Sequence, residues 1–217
     1  MYLKQQDQHI ATTMDRRCCD RKTTESTVLP RSAVVAGVAH SCLRGWRVSM
    51  EDEAVIELLS PGLGCFAVLD GHGGQFCSRW GAQELPRRLE HIAAFVDCAS
   101  DADEARQVAQ QVSEAVRQMD HDLRSRGRPA WACGSTLVAL LVTRRSLTVA
   151  NLGDSRAVLC RAGVALPLSR DHKPRSNAER QRILQAGGFI IDGRVNGDLS
   201  LSRALGDFRH KCASRPI

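Results

Sequence analysis

The segment Asp70-Gly71-His72-Gly73-Gly74 sets a carboxylate, an imidazole and three glycines directly after the apolar run Cys65 to Leu69. An aspartate closing a rigid buried strand has its carboxylate held in place. The glycines let the backbone turn sharply and leave the Gly71 carbonyl free to face a cation. Carboxylate, carbonyl and water oxygens are the donors that hard divalent ions take. The competing reading is a glycine-rich turn with a solvated aspartate. A second block, Gly45-Trp46-Arg47-Val48-Ser49-Met50-Glu51-Asp52, places an arginine four residues before two adjacent acids. Glu51 and Asp52 can supply oxygens to metals or to their waters, and Arg47 offers a planar fork for phosphate oxygens; a surface salt-bridge cluster would look the same. In Asn151-Leu152-Gly153-Asp154-Ser155-Arg156 another acid sits on a glycine turn, where a simple hairpin also favours aspartate. The fourth block, Arg194-Val195-Asn196-Gly197-Asp198-Leu199 with Ser202-Arg203-Ala204-Leu205-Gly206-Asp207, reads as a structural turn with an Arg–Asp pair.

The elements that must carry these blocks follow from apolar spacing. Ala33 to Ala39, Ala54 to Leu59 and Cys65 to Leu69 read as strands, the last continuous and hence buried. A helix is predicted from Gln75 to Phe95, with a kink or break at Pro86. A second helix carries Ala105, Val108, Ala109, Val112, Val116, Met119 and Leu123 on one stripe, with Asp101 and Glu104 as a capping box and Gly127 and Pro129 as its stop. Four short strands follow, at Thr136–Val142, Leu147–Leu152, Ala157–Cys160 and Val164–Leu168; their short connections imply antiparallel pairing. A last helix starts at Ser176, boxed by Glu179, and ends at Gly187-Gly188. Strands, helices, then strands argue for an α+β fold. Residues 1–32 are polar and aperiodic and read as an extended or disordered arm.

The 217 residues suit one domain, and 43% hydrophobic against 25% charged residues is a globular composition. The +6 net charge is scattered, without interleaved aromatics, so it reads as a solvated basic surface rather than a nucleic-acid groove. Such a surface suits an anionic phosphoprotein. Nine cysteines without a Cys-x-x-Cys pair give no zinc spacing and suggest a reducing compartment, cytoplasmic or nuclear. Cys65 and Cys160 read as small core residues. No apolar stretch reaches the roughly 20 residues of a membrane span. No Cys-x₅-Arg phosphate loop is present, which removes the cysteine-nucleophile route.

Taken together, the four blocks resemble the metal-dependent type 2C protein serine/threonine phosphatases (the PPM-type domain). Gly134-Ser135-Thr136, Asp171-His172-Lys173-Pro174 and Ala186-Gly187-Gly188 fit the same pattern in order, over roughly residues 35–212. The resemblance implies an antiparallel β-sandwich flanked by helix pairs, with a dinuclear Mn²⁺ or Mg²⁺ centre. It assigns Asp70 as bridging carboxylate, Gly71 as carbonyl ligand, Glu51 and Asp52 as acids acting through metal-bound waters, and Asp154 as the acid of a third, weaker metal position. Arg47 matches the phosphate-holding arginine and His72 the general acid to the leaving alcohol. Phosphoserine or phosphothreonine is the implied substrate, attacked by a metal-activated water, in a protein expected to be monomeric.

The pattern also departs from that family. Two further aspartates, in Asp-Gly-x-x-Asp and Asp-Asn motifs, are absent, and the chain ends at Ile217, ten residues after Asp207. On the resemblance, residues 33–217 are an incomplete phosphatase domain lacking its C-terminal strands. Two divalent ions ~4 Å apart repel by roughly 17 kcal/mol at an effective dielectric near 20, so fewer carboxylates favour one ion over a pair. The expectation is a chain much slower than a complete relative, and the alternative is an inactive phosphoprotein-binding module.

Overall fold

The computed structural model describes residues 2–4, 22–25, 34–96 and 101–211. Its centre is a four-stranded antiparallel sheet whose strand order is set by two tight turns. β4 (Glu53–Ser60) and β5 (Leu63–Leu69) form a hairpin through Pro61-Gly62, and β8 (Leu137–Val142) and β9 (Leu147–Leu152) form another through residues 143–146. β5 and β8 are the inner pair, giving the order β4-β5-β8-β9. Both inner strands read as continuous apolar runs because both of their faces are covered. Leu63, Cys65, Ala67 and Leu69 alternate with Phe66, and Leu137, Ala139 and Leu141 alternate with Leu140 and Val142; the two sets fall into separate apolar clusters.

Two helices cover the first face. α1 (Phe76–Leu89) leaves the site loop and continues through a 3₁₀ turn at Glu90–Ile92 into α2 (Ala93–Val96). Pro86 lies buried inside α1, and the α-helical run changes at residue 90 rather than at the proline. α3 (Asp101–Arg124) presents Val108, Val112, Met119 and Leu123 of the predicted stripe to Leu85, Leu89 and the sheet; Ala115 joins them, while Ala109 of that stripe is exposed. After α4 (Arg128–Ala132), the short strand β7 (Gly134–Ser135) pairs with β6 (Gly71–His72) on one side and with β14 (Leu205–Gly206) on the other. The fold is α+β with antiparallel sheets that do not close among the described residues.

Several expectations change. The apolar run 34–39 is not a strand. Val34, Val35 and Val38 instead cover the second face of the sheet at Phe66, Leu140 and Val142, and the strand begins at His40. This β3 (His40–Leu43) pairs with β2 (Lys22–Glu25). β1 (Tyr2–Lys4) also pairs, with β10 (Arg156–Arg161), so two pieces of the expected arm are strands; the rest of it lies outside the described residues. The strands after β8 are not one continuous meander. β10 leaves the four-stranded sheet and joins β11 (Val164–Pro167) and β1 in another. Cys160 is therefore exposed, while Cys65 is buried as expected. The remaining elements are α5 (Asn177–Gln185) and the hairpin β12 (Ile190–Ile191) with β13 (Arg194–Val195). Among the described residues no helix is long and apolar enough to cross a membrane.

Glu104 does not act as a capping-box acid. Its carboxylate is buried and accepts a 2.6 Å hydrogen bond from Thr143 Oγ1 and a weaker one, 3.4 Å, from Ser146 Oγ; Arg145 lies 3.5 Å away. The Asp101 side chain lies outside the described residues. Glu104 thus clamps the β8–β9 turn onto α3. Glu104→Ala leaves Thr143 without that acceptor in a buried position and is expected to cost about 1–3 kcal/mol, read as a lower urea midpoint at unchanged m-value.

Candidate active site

Asp70 follows the last residue of β5, and its backbone is pinned from both sides. Its N–H donates to Thr136 Oγ1 at 2.9 Å, and the Thr136 N–H donates back to the Asp70 carbonyl at 2.9 Å. Ser135 Oγ lies 3.3 Å from the same carbonyl. Thr136 is fully buried, and its hydroxyl also meets Ser155 Oγ at 2.7 Å. Ser155 follows Asp154, so one threonine hydroxyl ties the β5 end to the turn that carries the second acid. Gly153 opens that turn at φ +96°, and a Cβ there would stand 2.7 Å from Thr136 Cγ2. Both the positive φ and the close approach require glycine.

Glu51 contributes through its backbone. Its carbonyl accepts Ser78 Oγ at 2.5 Å and lies against Gly71 so closely that a Cβ would collide with it. Gly71 sits in β6 without a positive φ, so this close approach, rather than a sharp turn, is what demands glycine there. The Glu51 carboxylate accepts Ser49 Oγ at 3.0 Å. Its neighbour Asp52 reaches Asp70: the two carboxyl groups hydrogen-bond each other. Burial raises the Asp70 carboxyl, the charges of Asp52 and then Asp154 raise it further, and His72 opposes them; the result is about 6.

Asp154 is buried and paired with Lys173 Nζ. The residues before Lys173 hold the same turn. The Gly153 N–H donates to His172 Nδ1 at 3.1 Å, and the His172 N–H donates to the Gly153 carbonyl at 2.8 Å. Arg156 makes a two-pronged contact with Asp171, at 2.9 and 2.8 Å. Burial and then the Arg203 charge lower the His172 pKa, in keeping with a neutral ring whose Nδ1 accepts.

His72, the second residue of β6, places Nε2 2.8 Å from Asp207 Oδ2. Asp207 is buried, at φ +51°, with its N–H on the Cys133 carbonyl at 3.0 Å. Its carboxylate rests on Gly134, where a Cβ would overlap it. Burial works to lower the His72 pKa, but the hydrogen bond and charge of Asp207, with the charge of Asp70, outweigh it and raise it. Asp207, whose block the sequence pattern reads as a structural turn with an Arg–Asp pair, is the hydrogen-bond partner of His72. The arginines of that block bond other groups than Asp207: Arg203 pairs with Glu179 at 2.7 Å, and Arg194 bonds the Asp198 carbonyl at 2.7 Å within the block. Nothing local marks the His72–Asp207 pair, which spans 135 positions.

The structure thus brings together Asp52, Asp70, Gly71, His72 and Asp154, with the Glu51 backbone against them. Arg47 is exposed, on the stretch between β3 and Glu51. Among the described residues no three His, Cys, Asp or Glu side chains surround one point as a ready-made metal shell.

The Protein phosphatase 2C family profile matches residues 36–216. The chain belongs to the protein phosphatase 2C family. A probable protein phosphatase 1N of Mus musculus is 43% identical over 180 residues, covering 80% of this chain and 43% of the relative. Protein phosphatase 2C homolog 2 of Schizosaccharomyces pombe is 41% identical over 183 residues, covering 81% and 47%. This phosphatase 2C chain therefore spans less than half the length of these two relatives. Among solved structures, a serine-threonine phosphatase 2C from Toxoplasma gondii superposes with TM-score 0.68 over 91% of this chain and 75% of its own, at 17% identity, a likeness of fold. A C. elegans sex determining protein gives 0.60 at 28% identity, covering 79% and 44%.

Ser176 stands at the N-terminus of α5 but makes no side-chain cap, and Glu179 faces inward instead of closing a box. Its carboxylate takes Arg203 at 2.7 and 3.0 Å, Ser202 Oγ at 2.7 Å and Arg182 at 2.8 Å, which anchors the stretch leading to Asp207. Burial pushes the Glu179 carboxyl up, but those hydrogen bonds outweigh it and hold it at about 2, below the ordinary 4.5. A depressed folded-state pKa gives stability that is complete above the unfolded value and fades as pH falls through the folded one. The stability gap between wild type and Glu179→Gln should therefore be widest above about pH 4.5 and shrink toward pH 2, measured by urea unfolding across that range.

Thr136→Val keeps the shape but removes the acceptor for the Asp70 N–H and the partner of Ser155. It should lower stability by about 1–3 kcal/mol, and Thr136→Ser should recover most of the loss in the same denaturation assay.

Proposed function

We propose that the chain is the catalytic-face portion of a metal-dependent protein serine/threonine phosphatase. The observation that carries this reading is the convergence of Asp52 and Asp154 on Asp70, beside an imidazole held by a buried carboxylate. Acids so placed repel one another, which adds to burial in raising the Asp70 pKa, and a hard cation relieves that repulsion. The donor types fit Mn²⁺ or Mg²⁺. Asp70 and Asp52 would hold the ion, with the Gly71 carbonyl and Glu51 as further oxygens and Asp154 at a weaker position once Lys173 swings away. When bound, such a metal supplies an acidified water near neutral pH and neutralises phosphate charge.

The chain's own residues do the rest. Thr136 fixes the Asp70 backbone, so the carboxylate does not reorganise when phosphate arrives. Asp207 holds His72 Nε2, keeps the ring oriented and favours its protonated form, which leaves Nδ1 to donate to a leaving serine or threonine oxygen. The exposed Arg47 is free to fold toward a substrate phosphate with its paired N–H donors. The substrate is a phosphoprotein, and the basic balance of the chain favours its approach.

The test is phosphate release from a phosphothreonine peptide with Mn²⁺ and with chelator. Chelator should abolish turnover, and Asp70→Asn should remove calorimetric Mn²⁺ binding. His72→Ala should lower kcat about 10²-fold or more on the peptide, and much less on p-nitrophenyl phosphate, whose leaving group needs no proton. Metal-independent turnover, or equal His72→Ala losses on both substrates, would count against the mechanism. Peptide binding without turnover would favour a phosphoprotein-binding module instead.

A further inference from the structure

Beneath the His72–Asp207 pair lie two sulfurs that the phosphatase reading does not use. Cys77 is the second residue of α1 and Cys133 directly precedes β7; both are buried, and their Sγ atoms are 2.9 Å apart. We propose that Cys77 and Cys133 are a redox modification site, a dithiol that closes to an intramolecular disulfide when hydrogen peroxide oxidises it. The inference stands on this contact and does not depend on the phosphatase reaction.

The geometry favours the pair in three ways. Closing to a bonded sulfur–sulfur distance of about 2.05 Å asks for a movement of less than about 1 Å. While both are thiols, each S–H donates to a backbone carbonyl, Cys77 Sγ to that of Cys133 at 3.3 Å and Cys133 Sγ to that of Pro129 at 3.2 Å. Cys133 keeps 3% exposure while Cys77 has none, and a Cβ on Gly74 would stand 3.7 Å from the Cys133 Cβ. A small oxidant therefore has less cover to pass at Cys133 than at Cys77. The hydrogen bond between the sulfurs also holds Cys133 at about 7 while Cys77 is raised, which makes Cys133 the attacking thiolate. By contrast, burial and then the Glu57 charge push Cys65 up to about 12, leaving it inert.

The chemistry balances without a further reagent. The Cys133 thiolate attacks one peroxide oxygen; the O–O bond breaks, Cys133 becomes a sulfenic acid, and the other oxygen leaves as hydroxide, which becomes water with the proton that Cys133 gave up on ionising. The Cys77 thiol then attacks the sulfenic sulfur, the S–S bond forms, and hydroxide leaves with the Cys77 proton as a second water. Two thiols are oxidised and one peroxide is reduced. The new bond would brace the wall on which Asp207 seats, because the Cys133 carbonyl receives the Asp207 N–H and Gly206 packs against both Cys77 Sγ and that carbonyl.

The test treats the full chain with hydrogen peroxide, blocks free thiols, and maps peptides without reduction. The arginine-bounded fragment 48–79 holds both Cys65 and Cys77, so fragmentation must locate the linked sulfur. The expected result is a Cys77–Cys133 cross-link that dithiothreitol reverses. Cys77→Ala, which lacks the resolving thiol, should instead leave a Cys133 sulfenic acid that dimedone traps. Recovery of Cys77 and Cys133 as unlinked thiols, as separate sulfinic acids, or cross-linked to other cysteines would overturn the assignment; the wild-type map decides this even if the variant does not fold.

Discussion

The buried hydroxyl of Thr136 is the joint on which the site depends. It accepts the Asp70 N–H and bonds Ser155, and so it fixes the relation between two chain segments that each deliver an acid. A hydroxyl suits this position because it is both donor and acceptor and can serve two partners at once. Gly153 must lack a side chain because Thr136 Cγ2 fills the space its Cβ would take. The joint lies where β5 and β8 run side by side, so the most deeply buried pair of strands sets the position of the acids.

Around that joint the structure accumulates negative charge instead of avoiding it. Asp52 and Asp154 both act on Asp70, and Asp207 adds a fourth carboxylate next to His72. An arrangement of this kind is unfavourable unless cations share it. The chain supplies part of the compensation through Lys173 on Asp154 and the imidazole on Asp207. The Asp171-His172-Lys173 stretch is devoted to this purpose, each residue gripping a different part of the Gly153–Arg156 turn.

Two other buried acids, Glu104 and Glu179, have a different role. Each is surrounded by donors from a distant turn, Thr143 with Ser146 in one case and Ser202 with Arg203 in the other. They fasten the two ends of the assembly: α3 to the sheet, and α5 to the loop that carries Asp207. Acids of the same type thus do opposite things, according to whether donors or other acids face them.

The sequence by itself determined the inner strands, the α3 stripe, the turn at Gly187 and the residues that gather at the site, including Asp70, Asp52, Asp154 and His72. These were legible because strand alternation, helical spacing and glycine turns are properties of neighbours along the chain. Only the tertiary structure decided which partner each charged group takes. The spacing of Glu104 and Glu179 fitted capping boxes, yet both turn inward, because a buried donor cluster outweighs a solvated helix end. Asp207 was adjacent to arginine in pattern but bonds His72, and β10 follows β9 in sequence but lies in another sheet. The 34–39 run was apolar enough for a strand but serves as a cover for Phe66 and Leu140. In each case the deciding contact joins residues far apart in the chain, and one-dimensional periodicity carries no information about which of several compatible partners packing will bring within reach.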